Sequence, residues 1–118
     1  MNLNWMKCVG DLWCNFYNLN LNHPHFNDLE GIYIIWRGAP NPAVIYIGQG
    51  NIKQRIFVHR NEPAITRFGQ NELFVTWASV PTSYRDGIER YLADIWNPLV
   101  GSQHPNVSPI SVNSPWQA

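Results

Sequence analysis

The chain has 118 residues, 45% hydrophobic and 14% charged, a size and balance that suit one globular domain and exclude a second catalytic module and general disorder. Eight Lys and Arg balance eight Asp and Glu for a net charge of zero, so whole-chain attraction to polyanions is excluded as a source of affinity. The opening residues carry no basic-then-apolar secretion pattern and no apolar run reaches about 18 residues, so a cytoplasmic protein without membrane contact is expected, with Cys8 and Cys14 as reduced thiols.

Residues 1–30 mix seven Asn with Trp5, Trp13, Phe16 and Tyr17. Asn favours turns and the aromatics need burial, so this segment reads as an irregular extension packed on the domain. From Gly31 the texture changes. Ile32 to Trp36 and Val44 to Ile47 are β-rich runs joined by the turn residues 38–42, a hairpin with a widened loop. Asn51 is placed to cap a helix that turns Ile52 and Ile56 inward, and Pro63 is expected to stop it. Leu73 to Ala78 forms a third strand closed by Pro81. Ser83 and Asp86 have capping-box spacing at the start of a last helix, whose Ile88, Leu92 and Ile95 share one face before Pro98 ends it. The Pro-rich residues 102–118 should wrap over the surface without regular structure, with Trp116 as an anchor. The expected fold is α+β: a three-stranded antiparallel sheet flanked by helices in the order β-β-α-β-α.

Gly31-Ile32-Tyr33 on one strand, Tyr46-Ile47-Gly48 on the next, Arg55 and His59 on a helix and Glu89 on a later one together resemble the GIY-YIG nuclease superfamily. The resemblance covers residues 31–101 and leaves the first 30 outside it. It implies the β-β-α-β-α domain just described and a divalent-metal-dependent endonuclease acting on nucleic acid, with DNA expected. It implies catalytic roles for Tyr33, Tyr46, Arg55, His59 and Glu89 around one scissile phosphate, and Glu89 as the protein ligand of Mg²⁺ or Mn²⁺. The sequence departs from the family pattern at Gly101, where an Asn is usual; Asn97 and Asn106 are the nearby amides that could replace it.

The chemistry is consistent with those residue types. Tyr33, as phenol or phenolate, would take the proton of the attacking water, provided its pKa is lowered from about 10. Arg55 offers a planar fork of donors to phosphate oxygens, and His59, four residues on, shares its helix face and can receive a proton. Tyr46 would hold the phosphate or water in line. One carboxylate suffices for Mg²⁺, which keeps waters and borrows a phosphate oxygen. Arg37, Lys53, Arg60 and Arg67, with Arg55, lie in a stretch opposed only by Glu62 and form a candidate substrate-binding basic face on a neutral protein.

Each feature also has a plainer explanation. Two tyrosines can be ordinary strand aromatics, and Glu89 can pair with Arg85 on its own helix. Cys8, Cys14, His23 and His25 are zinc-type ligands in no recognised finger spacing, and burial of the thiols among aromatics is the preferred account. No separate recognition domain is visible, so specificity is expected from a protein partner, substrate shape or the extension. The alternative to an endonuclease is a catalytically weak or inactive module of the same fold that binds nucleic acid or a protein.

Overall fold

The computed structural model describes residues 1–101 and 103–116; Ser102, Gln117 and Ala118, part of the expected tail, lie outside the description. The fold is α+β. Strands β1 (Cys14–Asn15), β2 (Glu30–Arg37), β3 (Ala43–Asn51) and β4 (Leu73–Ser79) form one antiparallel sheet in the order β1-β4-β2-β3. Helix α1 (Ile52–His59), the single turn α2 (Pro63–Thr66) and α3 (Thr82–Trp96) complete it.

Central strand β2 is buried at every position from Gly31 to Trp36, which is why it reads as an unbroken apolar run: both of its faces are covered. On one face Tyr33 and Ile35 pack with Phe16, Ile52, Ile56 and Trp77. On the other, Ile32, Ile34 and Trp36 pack with Ile88 and Leu92 of α3. Burying an aliphatic side chain of this size contributes about 1.5–3 kcal/mol. Gly31 is required between β2 and β4, because a Cβ there would overlap the carbonyl of Ala78.

The β2–β3 register shifts between Ile35 and Trp36: Ile35 pairs with Tyr46 and Trp36 with Val44, so Ile45 is an extra residue. This bulge decides where Tyr46 points. Val44 belongs to the α3 side, and plain alternation would send Tyr46 there as well. With the extra residue, Tyr46 lies on the face of Tyr33, against the α1-side core.

Several expectations are corrected. The sheet has four strands, because the supposedly irregular extension supplies β1, pairing Cys14 with Val75 and Asn15 with Phe74. Cys8 and Cys14 form a disulfide with their Cα atoms 5.2 Å apart; a tight turn that pairs Cys8 with Leu12 brings them together. Pro63 does stop α1, but as the first residue of α2 it also begins the next helical turn. No side chain caps α3, which follows Pro81, so the Ser83–Asp86 capping box is not formed. Ile95 is 42% exposed, and Trp96 rather than Ile95 packs on the core from the last turn of α3. The cap from Asn51 to the Gln54 amide, at 3.0 Å, forms as expected.

The tail is irregular and lies across α3, where the Ile110 amide donates to the Gly87 carbonyl at 2.9 Å. Asn113 then exchanges bonds with Leu3, accepting at 2.6 Å and donating at 3.0 Å. Trp116 sits edge-on to Trp36 and Trp96 at 5.0 and 4.9 Å. Among the described residues no helix is long and apolar enough to cross a membrane.

The disulfide closes a short loop at the start of β1, and loop-closure entropy assigns it about 2 kcal/mol. Replacing both cysteines by serine is therefore expected to lower the urea midpoint at unchanged slope. An unchanged midpoint would show that this turn lies outside the cooperative unit.

Candidate active site

The site is assembled at edge strand β3, around Gly48. Tyr33 pairs directly with Gly48 across the sheet, and its hydroxyl lies where a Gly48 side chain would begin: a Cβ there would overlap it. Helix α1, started by the Asn51 cap, turns Ile52, Ile56 and His59 toward the sheet. His59 Nε2 thereby meets the Tyr33 hydroxyl at 2.6 Å. The Tyr46 ring stacks on Tyr33 with centroids 6.0 Å apart and lies 4.5 Å from the His59 ring. One turn before His59, Arg55 donates from Nε to the Tyr33 oxygen at 3.4 Å. Four of the five expected catalytic side chains therefore share one cluster.

Glu89 approaches from the other face of the sheet. Gln49, the residue after Gly48, donates its amide to Glu89 Oε1 at 3.1 Å and to Asp86 Oδ1 at 2.9 Å. Glu89 Oε2 faces His104 Nδ1 at 3.0 Å. The suggested Arg85 pairing does not occur: Arg85 bonds Glu30 at 3.0 Å and the Val80 carbonyl at 2.8 Å. Glu89 still belongs electrostatically to the cluster, being near enough to raise the pKa of Tyr33 slightly. Among the described residues no three His, Cys, Asp or Glu side chains converge on a point, so an ion here would lean on Glu89 and few other protein ligands.

Protonation follows from burial. Tyr33 is wholly buried, and loss of hydration pushes its pKa well up, more than the Arg55 hydrogen bond and charge bring it down. The lowering that a phenolate would need is absent, and of the phenol and the phenolate the phenol is favoured: Tyr33 holds its proton. His59 is 1% exposed, and burial, aided by the charge of Arg55, lowers its pKa, while Glu62 opposes the shift. The ring is thus a neutral acceptor for the Tyr33 proton at neutral pH. Glu62 lies 3.2 Å from His59 Nδ1 without hydrogen-bond alignment, so it acts on the ring as a charge. Arg55 gains basicity from the phenol oxygen of Tyr33.

The four expected substrate-binding cations do different things. Arg60 bonds the carbonyls of Phe16 and Leu19 at 2.9 and 2.7 Å, tying the extension to α1. Arg37 and Arg67 lie over the Phe68 ring at 5.9 and 4.8 Å. Lys53 stands 3.5 Å from Asn22 beside a cleft of about 710 Å³ that Phe57 and Arg60 also line. None of the four pairs with the Tyr33 cluster, and Arg55 is the cation that does.

Gln49 and His104 were not identified from the sequence. Gln49 had a signal, standing directly after the second tripeptide, where alternation turns it toward α3. His104 had none, since it comes from the irregular tail. Neither suggested replacement for the amide reaches Glu89: Asn97 is the left-handed cap of α3 and Asn106 is exposed. Gly101 instead packs its backbone against the Tyr46 ring, which a Cβ would approach to 3.0 Å.

Comparison of the chain with protein-family models, with curated proteins and with solved structures returns no match.

The groups facing His59 are Tyr33, Tyr46, Arg55 and Glu62. Because folding lowers the His59 pKa, the unfolded chain binds more protons between the folded value and 6.5. The stability linked to this group is complete above pH 6.5 and is lost as pH falls toward the folded value. Glu62→Gln removes the opposing charge and should move the imidazole midpoint, followed by NMR, further down. A wild-type midpoint at or above 6.5, or one indifferent to Glu62→Gln, would contradict this assignment.

Proposed function

We propose that the chain is a divalent-metal-dependent endonuclease of the GIY-YIG type, hydrolysing nucleic-acid phosphodiesters with DNA as the expected substrate. The observation that carries this reading is the meeting of Tyr33, Tyr46, Arg55 and His59 over Gly48, with the carboxylate of Glu89 held on the opposite side of the same strand. Two tripeptides widely separated in sequence thus supply one constellation, which strand aromatics placed only for packing would not need.

Arg55 and Tyr46, both partly exposed, meet the substrate first. The Arg55 guanidinium takes the non-bridging phosphate oxygens, and the Tyr46 hydroxyl aligns the phosphate or the attacking water. Tyr33 and His59 work as a pair: the Tyr33 oxygen accepts the water proton as the hydroxyl proton passes to Nε2 of neutral His59. Tyr33 thus acts from its phenol form, and the negative charge of Glu62 stabilises the imidazolium so formed.

Glu89 fits a hard divalent ion. Its carboxylate is buried, yet among the described residues neither Lys nor Arg pairs with it, and a buried anion without a cation is costly. Mg²⁺ or Mn²⁺ bound there supplies neutralisation of charge developing on the phosphate oxygens. Gln49 fixes the orientation of the carboxylate. Among the described residues nothing resembles a dedicated sequence reader, so specificity is assigned to substrate shape, to a protein partner or to the N-terminal extension.

The test is nicking of supercoiled plasmid and cutting of branched oligonucleotides with Mg²⁺ or Mn²⁺, wild type beside Glu89→Ala, Tyr33→Phe and Arg55→Ala. Metal-dependent nicking is expected in wild type, with each variant at least about 100-fold slower, the usual scale for removing a proton-transfer or charge-stabilising group. Wild type that binds DNA or RNA but cuts neither would favour the non-catalytic binding module, the alternative that Gly101 in the place of the family Asn and the zero net charge motivate.

A further inference from the structure

Glu89 meets a tail residue that its proposed role does not explain. His104 Nε2 lies 3.1 Å from the carbonyl oxygen of Gly101. A carbonyl only accepts, so Nε2 carries the hydrogen, and in the neutral ring Nδ1 is left as a bare lone pair. That nitrogen faces Glu89 Oε2 at 3.0 Å. Two acceptors at this separation repel, and both side chains are largely withdrawn from water, 12% and 9% exposed. A positive species must stand between them.

We infer that His104 is a second protein ligand, so that a divalent first-row transition ion is held between its Nδ1 and Glu89 Oε2. The inference rests on the assignment of Glu89 as a metal ligand and adds the nitrogen donor.

Three features of the geometry fit a metal ion in that position. First, the far N–H of the ring is fixed by a backbone carbonyl, which sets the tautomer and aims the other nitrogen, as is usual for metal-binding imidazoles. Second, the 3.0 Å between the two donor atoms is the separation of neighbouring ligands around an octahedral ion with bonds of about 2.1 Å. Third, the other carboxylate oxygen is already fixed by Gln49 at 3.1 Å, which leaves Oε2 free to bind. With no third His, Cys, Asp or Glu side chain at hand among the described residues, water and a phosphate oxygen fill the remaining positions.

One nitrogen and one carboxylate change the choice of metal. Mg²⁺ prefers oxygen alone, whereas Mn²⁺ and Co²⁺ accept imidazole. The chain should therefore hold Mn²⁺ and Co²⁺ more tightly than Mg²⁺, and that preference should depend on a residue outside the stretch that resembles a nuclease.

The experiment measures ion binding to the whole chain without nucleic acid. Mn²⁺ is followed by electron paramagnetic resonance, including its coupling to nitrogen, Co²⁺ by its visible absorption, and Mg²⁺ by calorimetry. Wild type, His104→Ala, His104→Gln and Glu89→Ala are compared, with melting curves to confirm folding. Expected are nitrogen coupling in wild type, its loss in both His104 variants, and Mn²⁺ affinity weakened there about tenfold or more, with Mg²⁺ affinity changed less than about twofold. Equal weakening of both ions would overturn the nitrogen ligand and make His104 a residue that only positions Glu89. Tight Mn²⁺ binding lost in Glu89→Ala but without nitrogen coupling in wild type would also overturn it, while leaving the metal role of Glu89 intact. Absence of any bound ion in wild type would overturn both.

Discussion

The contact on which the site depends is the pairing of Tyr33 with Gly48. A side chain on the edge strand would occupy the space of the Tyr33 hydroxyl. With only hydrogen there, a phenol rooted in the fully covered central strand reaches the rim of the sheet, where His59 closes over it at 2.6 Å. The same edge position lets Gln49, one residue on, face the opposite layer and hold Glu89. A bare glycine on an edge strand thus joins two side-chain groups that the sheet would otherwise keep apart, one from the α1 layer and one from the α3 layer.

That arrangement carries electrostatic consequences which follow from burial more than from any single neighbour. A phenol and an imidazole withdrawn from water both favour their neutral forms, so the pair is neutral at rest and carries charge only once His59 has taken the proton. Glu62 is 40% exposed and close enough to favour an imidazolium at His59. The carboxylate of Glu89 is different. It is buried with neither Lys nor Arg beside it among the described residues, and only the Gln49 amide and the His104 ring face its oxygens. The two halves of the site therefore carry opposite burdens, one short of charge and the other with charge to be neutralised.

The parts of this architecture legible in the sequence are those written in local pattern. Ile32 to Trp36 reads as a strand because both faces are buried, Asn51 as a cap because its side chain can reach the amide three residues on, and Leu73 to Ala78 as a strand bounded by turn residues. The order of β2, β3, α1, β4 and α3 follows. What was not legible depends on partners distant in sequence. Two residues, Cys14 and Asn15, become a strand only because β4 offers a free edge. Cys8 and Cys14 were expected as reduced thiols, whereas a local turn brings the two residues together as a disulfide. Simple alternation along Val44 to Ile47 would have placed Tyr46 on the wrong face, and only the bulge at Ile45 corrects it. The pKa of Tyr33 was expected to fall if it served as a base, and burial raises it instead.

His104 shows why an irregular segment can matter as much as a strand. The tail that carries it is held at several independent points. Ile110 bonds the backbone of α3, Asn113 pairs with Leu3, and Trp116 is clasped by Trp36 and Trp96. These bonds link the first residues of the described chain to its last ones across the helix that carries Glu89. Each anchor is modest alone, a hydrogen bond contributing about 1 kcal/mol net and an aromatic pair about as much. Acting on one short segment they reinforce one another, because each reduces the conformational entropy that the others must overcome. These contacts hold the tail over the helix that carries Glu89 on one side of His104, while on the other the amides of Leu99 and Val100 bond the carbonyls of Val44 and Ile45.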